Sequence, residues 1–514
     1  MVAMNKPKSL LRAGLVALVV AVLAACGSNV KNPVTGQTER TVMDERSELA
    51  QGKKAHDEVL KETPALANPA LQAYVSDLGL KLARLSHRPE LPWTFTVLDS
   101  PEVNAFALPG GYVYVTRGIM AYLDSEADLA GVIGHEIGHV TARHGAQRAT
   151  RAQNAGLGVL AATVLGAVLE SKGMTGAGDL ASTIGQTAAA GYVARYSREQ
   201  ELQADTLGAE YLARARYDPK NMVDVIQVLK DQDSYRADQA KAEGKAPPSG
   251  DSWTASHPSS DQRLREIMQR ALAYQQQQAN KAYADDGRAR YLKAIDGLPF
   301  GDSREQGVVR GRNFFHEPLG FAITAPAGWQ VQNGSDALLL VNREGDAALK
   351  LSAVPDKAGS NHDEIIRNAI KPDTGRVQRV TLASGLQATR FTGTQRNAQG
   401  QSRDIQFTLV AGPQGKQYLL QALGRDVAAV QRARPGLLAA EDSFRALGPA
   451  DHAAARPWVL RSAPMPAGGF DALARRTPLG EAGSAQLRLI NQAYAPGAAA
   501  PRAGQLVKVV EAAP

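Results

Sequence analysis

The chain has 514 residues, length for about three domains of ordinary size, with 58 Lys+Arg against 51 Asp+Glu and 44% hydrophobic residues. That balance excludes a disordered protein, which would be poor in apolar residues and extreme in charge. One Cys excludes a disulfide scaffold, and a net charge of +7 over this length gives no reason to expect a nucleic-acid partner.

Lys6, Lys8 and Arg12 precede an apolar run from Ala13 to Ala25. A spanning helix needs about 20 apolar residues, so this run has the length of a signal-peptide core. It ends in Leu23-Ala24-Ala25-Cys26-Gly27-Ser28, which resembles the lipobox of bacterial lipoproteins; a plain cleaved signal ending in Cys is the alternative. The resemblance implies that 1–25 is a signal peptide, that Cys26 is lipidated, and that 26–43 is a tether. Processing at Cys26 leaves 489 residues and a net charge of +4, because Lys6, Lys8 and Arg12 go with the signal. Several acyl chains hold a protein to a bilayer without a spanning helix. Gly27, rather than Asp, resembles lipoproteins sent to the outer membrane of Gram-negative cells. The expected place is therefore the cell envelope, at the inner leaflet of the outer membrane, facing the periplasm.

From Asp44 to about Leu85 the apolar spacing is helical. Trp93–Leu98 alternates as a strand, and two strands flanking Pro109-Gly110-Gly111 predict a hairpin. Ser125 caps a helix expected to run to about Arg148. The run 155–169 is too short to span and reads as a buried or interfacial helix. A helix is expected at 198–214, a loop at 241–252 and a further helix at 261–295. Beyond Gly301, short alternating segments surround helices near 362–370 and 426–446, the pattern of an antiparallel α+β domain. The fold class is therefore multidomain α+β. A mainly helical domain over 44–300 carries a small hairpin or sheet, 301–450 is an α+β domain, and 451–514 is a small module.

The chemistry concentrates at Gly134-His135-Glu136-Ile137-Gly138-His139. This is H-E-x-x-H on a predicted helix, the zincin signature. Two imidazoles four residues apart share a helix face and can bind one zinc, while Glu136 can serve as general base. A catalytic zinc needs a third ligand. Glu201 and Asp205 offer an acid pair on the next helix, where one can ligate and the other can orient a histidine. His144 is the rival, but in a continuous helix it points about 140° away and reads as surface or structural. His56, His87, His316, His362 and His452 stand alone in polar surroundings and read as surface residues. Arg198, three residues before Glu201, can pair with an acid or face an oxyanion.

The string from Asn104 to Gly118, the H-E-x-x-H helix, and Tyr196-Ser-Arg-Glu-Gln-Glu201-Leu-Gln-Ala-Asp205 occur in one order. In this they resemble the zincin metallopeptidase family of HtpX, the CAAX prenyl protease and periplasmic BepA-like lipoprotein proteases, over about residues 40–295. The resemblance implies one Zn²⁺ per chain on His135, His139 and Glu201, with Glu136 catalytic and Asp205 supporting an imidazole. It implies that the hairpin, through Asn104, Gly110, Gly111, Tyr112, Val113 and Tyr114, offers an edge strand to an extended substrate; a plain turn is the alternative. It makes His257 in Ser256-His257-Pro258 a fourth ligand, a transition-state donor or a simple helix-start residue. In the tail, 451–514 weakly resembles a LysM peptidoglycan-binding module, with an accessory packing module as the alternative.

The expected function is a lipid-anchored periplasmic zinc metalloendopeptidase acting on unfolded or misassembled envelope polypeptides. The rival is an envelope chaperone or assembly factor with latent or structural zinc, near peptidoglycan or the outer-membrane assembly machinery.

Overall fold

The computed structural model describes residues 28–32, 34–153, 196–242, 244, 257, 261–277, 283–334, 337–396 and 402–513. The signal sequence, Cys26, the apolar run 155–169 and most of the expected loop at 241–252 lie outside the described residues. Among the described residues no helix is long and apolar enough to cross a membrane.

The chain folds as two compact units. One comprises the described residues up to Asp296 with Ser462–Arg475 and Leu479–Val509, and the other Gly297–Arg461 with two short C-terminal pieces.

The first unit opens with a hairpin of β1 (Ser28–Lys31) and β2 (Thr38–Thr41). The expected tether is therefore not slack over its described part: Asn32 and Thr41 are buried. The helix expected from 44 to 85 is two helices, Glu45–Glu62 and Pro69–Ala83. Pro64 breaks the first, since proline disfavours helical backbone before it, and Pro69 starts the second beneath an Asn68 cap. Strands β3 (Thr94–Leu98), β4 (Ala105–Leu108) and β5 (Tyr112–Thr116) form a sheet in the order β3-β5-β4. Gly110 and Gly111 carry the turn between β4 and β5 at φ of +84° and +98°, which side-chain-bearing residues rarely adopt.

That order corrects the expected substrate strand. Tyr112, Val113 and Tyr114 lie on β5, which is hydrogen-bonded to β3 on one side and β4 on the other. A doubly paired strand has no backbone groups left for a peptide. β4 is an edge.

The Glu126–Thr141 helix starts at Ser125, whose side chain accepts from Asp128 N, and every residue in it is buried. It ends earlier than expected, because Arg143 takes a left-handed φ of 56°. Residues 144–153 then form a new helical segment. The Arg198–Arg214 helix matches its expected bounds and starts with a Ser197–Gln200 capping box. Glycines let these helices touch. A Cβ on Gly138 would meet Ala204 O at 2.8 Å, and one on Gly208 would meet His135 N at 3.0 Å. The helix expected at 261–295 is split into Asp261–Gln277 and Arg288–Ala294.

The expected separate module at 451–514 does not stand alone. The helices Gly469–Ala474 and Gly483–Ile490 and the strand that follows appear in the expected order, but Ser462–Arg475 and Leu479–Val509 belong to the first unit. Gln492 Nε2 donates to Asp128 Oδ2 at 3.1 Å, and buried Lys508 donates Nζ to Leu123 O at 2.5 Å. The tail thus braces the start of the Glu126–Thr141 helix. Burial pushes Lys508 down from 10.5 to about 8. Between those values the unfolded chain binds more protons than the folded one, so this group makes stability rise with pH there. Urea unfolding from pH 8 to 10.5 should show that rise, and Lys508→Met should flatten it.

The second unit is the expected antiparallel α+β domain. Among its described residues, one sheet has seven strands in the order β6 (Gln330–Asn333), β7 (Leu338–Val341), β8 (Ala347–Ala353), β12 (Gln417–Gly424), β11 (Ser402–Ala411), β10 (Gln387–Arg396) and β9 (Thr374–Thr381). Phe314, Phe321, Ile323, Leu340, Leu420 and Phe444 are part of its core. His362 is buried here, not at the surface, with Nδ1 2.7 Å from Thr389 Oγ1.

Candidate metal centre

The close crossing of the two helices sets His135 and His139 opposite Glu201 and Asp205. His135 Nε2 lies 3.0 Å from His139 Nε2 and 3.5 Å from Glu201 Oε2, and His139 Nε2 lies 3.5 Å from Glu201 Oε1. His257 completes the group, with Nδ1 3.0 Å from Glu201 Oε1 and 3.2 Å from His135 Nε2. One ligand atom from each of these four buried residues lies within 4.8 Å of the others. Glu136, fully buried, has Oε1 3.8 Å from His257 Nε2.

Electrostatics suit a cation. Burial pushes His135 down and His139 and His257 well down, so all three imidazoles are neutral at ordinary pH. His135 Nδ1 lies 2.9 Å from Asp205 Oδ1. A carboxylate only accepts, so the hydrogen is on Nδ1 and the Nε2 lone pair faces the cluster. Burial alone would raise Asp205, but the charge and hydrogen bonds of Arg263, then those of His135, hold it well below the carboxylate range. Burial pushes Glu201 up to about 7 against the pull of Arg263. Three imidazole nitrogens and a carboxylate, all able to be acceptors and all aimed at one point, are a donor set for a transition-metal ion such as zinc.

Arg263 was not singled out by sequence. It clamps Asp205 at 2.7 and 2.8 Å and sets Nη1 3.0 Å from Glu201 Oε2. It comes from the Asp261–Gln277 helix, 58 positions from Asp205, and no local pattern marks that pairing. Arg198 is exposed on the first turn of its helix. His144 takes the structural rather than the surface alternative. It is buried, not at the surface, with Nδ1 2.9 Å from His139 Nδ1. The helix breaks at Arg143, so the 140° displacement of a continuous helix does not apply. Burial takes His144 down to about 4. Tyr196 stacks on His139 with ring centroids 4.0 Å apart.

Beside His139 lies a small crevice of about 10 Å³, lined by Ala107 and Leu108 at the end of β4 and by Pro109, Arg143 and Tyr196. The β4 edge, not Tyr112–Tyr114, thus borders the donor cluster.

Residues 69–271 match the model of peptidase family M48. The beta-barrel assembly-enhancing protease of Yersinia pestis is 30% identical over 243 residues, 46% of this chain and 47% of that protein. Its counterpart in Escherichia coli (strain K12) is 29% identical over 203 residues, 40% of this chain and 42% of that protein. The mitochondrial metalloendopeptidase OMA1 of Arabidopsis thaliana is 35% identical over 147 residues, 29% of this chain and 28% of that protein. The chain spans under half the length of each of these relatives. The buried H-E-x-x-H cluster, the Glu201–Asp205 helix and this match agree: the chain carries a domain of peptidase family M48.

Proposed function

We propose that the protein is a zinc metalloendopeptidase of the bacterial envelope, held to the membrane by a lipid on Cys26 and facing the periplasm. The observation that carries the reading is the convergence of His135, His139 and Glu201 on one point with Glu136 beside it. Bound zinc supplies Lewis acidity and brings a water pKa down toward about 7. His135, His139 and Glu201 hold the ion, and Asp205, itself held by Arg263, keeps His135 in its metal-binding tautomer. Glu136 takes the proton from the attacking water and returns it to the leaving amine. An extended peptide bonds to the β4 edge, whose backbone ladder asks little of substrate side chains. This suits unfolded or misassembled envelope polypeptides, and the relatives named for β-barrel assembly support that substrate class. The anchor is short: from Cys26 to buried Asn32 an extended chain reaches about 20 Å, which keeps the site near the bilayer.

The purified protein should contain one zinc per chain and cleave casein. Phenanthroline should stop cleavage and added zinc restore it; casein left intact by the zinc-loaded wild type and by His257→Ala alike would sink the protease reading.

His257 favours a second state of the same site. A catalytic zinc has three protein ligands and one open position, and His257 Nδ1 supplies a fourth donor. A chain held in that state is latent, as the assembly-factor reading requires. His257→Ala should raise casein cleavage severalfold at unchanged zinc content. A fall would assign His257 to the transition state, and no change would remove it from both roles.

A further inference from the structure

Behind His139, a chain of hydrogen bonds leads to the N-terminal hairpin. Asn32 follows β1, and its Oδ1 accepts from Val34 N at 2.8 Å and Thr35 N at 3.2 Å. That turn fixes the amide, so the outer atom is Nδ2. Nδ2 donates to Glu39 Oε1 at 2.9 Å and to Gln203 Oε1 at 3.0 Å. The Gln203 atom that receives this bond must be oxygen. The same oxygen lies 3.1 Å from His144 Nε2, and since it only accepts, His144 carries its hydrogen on Nε2. His144 Nδ1 is then a lone pair, and His139 Nδ1, 2.9 Å away, supplies the hydrogen between them. The lone pair of His139 is left on Nε2, 3.0 Å from the His135 Nε2 lone pair that Asp205 turns the same way. Two lone pairs that close repel each other unless a cation lies between them.

We propose that His144, Gln203 and Asn32 are positioning residues that fix His139 in its metal-binding tautomer, making the hairpin beside Cys26 part of the metal centre's support. The proposal rests on the zinc reading above. Without the relay, His139 can move its hydrogen to Nε2 and donate it to His135 Nε2, which takes the His139 lone pair away from a metal and occupies that of His135. Each ligand histidine thus has its own support. Asp205 on the Arg198–Arg214 helix holds His135, and a relay crossing from the 144–153 segment to β1 holds His139. The hairpin has further bonds to the same region, through Glu39 to Gln147 and from Val42 N to Thr150 Oγ1 at 3.0 Å.

The test is a cobalt(II) titration of the metal-free full chain in detergent, followed by visible absorption against a competing chelator. His144→Phe should weaken cobalt binding about 10–100-fold and alter the cobalt absorption bands, the range found for residues that support a ligand from behind. Gln203→Met and Asn32→Ala should weaken it in the same direction by smaller factors. His144→Asn offers Oδ1 where the Nδ1 lone pair stood, and should recover most of the affinity. Melting temperatures of the metal-free variants are measured alongside, because a relay acting on the ligand changes metal affinity in variants whose fold is intact. If His144→Phe does not fold, Gln203→Met and Asn32→Ala at the outer end decide. Unchanged cobalt affinity and spectrum in the folded variants overturn the relay, as does equal loss in His144→Asn and His144→Phe, which would indicate packing alone. A wild-type chain that binds no cobalt and no zinc would sink the metal reading itself, a different outcome from a wild type that binds metal with variants that match it.

Discussion

Glu136→Gln should abolish casein cleavage and leave one zinc per chain. Glutamine keeps the shape of the side chain, which matters because Glu136 is fully buried in a helix with no exposed residue. It removes only the ability to take a proton. General-base catalysis is worth about 10²–10⁴-fold, so cleavage should fall by that factor or more. Zinc content should not fall, because the three proposed protease ligands, His135, His139 and Glu201, are untouched. Cleavage within tenfold of wild type, at equal zinc, would remove Glu136 from the mechanism. The same variant is suited to trapping substrates, since binding at the β4 edge asks nothing of residue 136.

Arg263→Met should destabilise the protein by about 3–5 kcal/mol, the cost of stripping the partner from a buried ion pair. Arg263 is 3% exposed, and its guanidinium makes two bonds to Asp205 and meets Glu201. Methionine fills much of the space but leaves two buried carboxyl groups without their cation. Asp205 then rises from its depressed position, loses its hold on His135 Nδ1, and metal binding weakens with stability. Urea unfolding of the metal-free protein gives the first effect and zinc titration the second. Bound zinc should recover part of the loss, since it restores positive charge beside Glu201. A stability change under 1 kcal/mol would show that the clamp carries little of the site. Asp205→Asn added to Arg263→Met should be milder than Arg263→Met alone, because the stranded charge is gone.

The histidine pair was legible because helix periodicity is local, while the choice of Glu201 over Asp205 as proposed ligand rested on the family resemblance. His135 and His139 share a face through four-residue spacing, and Glu201 and Asp205 repeat the device on a helix whose cap and end are written in Ser197 and Arg214. The antiparallel domain was legible from alternation and turn residues. Less legible was anything that depended on where a helix stops. The break at Arg143 brings His144 back to His139, and a periodicity count that runs through it sends His144 the wrong way. Strand order was hidden for a related reason. The Pro109-Gly110-Gly111 turn announces a hairpin, but only the parallel pairing of β3 with β5 makes β4, among the described residues, the edge of that sheet.

Composition began by excluding disorder, disulfides and a nucleic-acid signal, and sequence alone then marked His135, Glu136 and His139 as candidates, offered Glu201 and Asp205 as an acid pair, and indicated a multidomain α+β fold. Those properties rest on neighbours within a turn or two of chain. Tertiary structure decided that His257 and Arg263 join the cluster, that Asn32 and His144 stand behind His139, and that Lys508 braces the helix start. Each of these is a buried polar group whose partner lies on another element. A buried polar group must find a partner, but the chain does not say which distant residue will supply it until the helices have crossed.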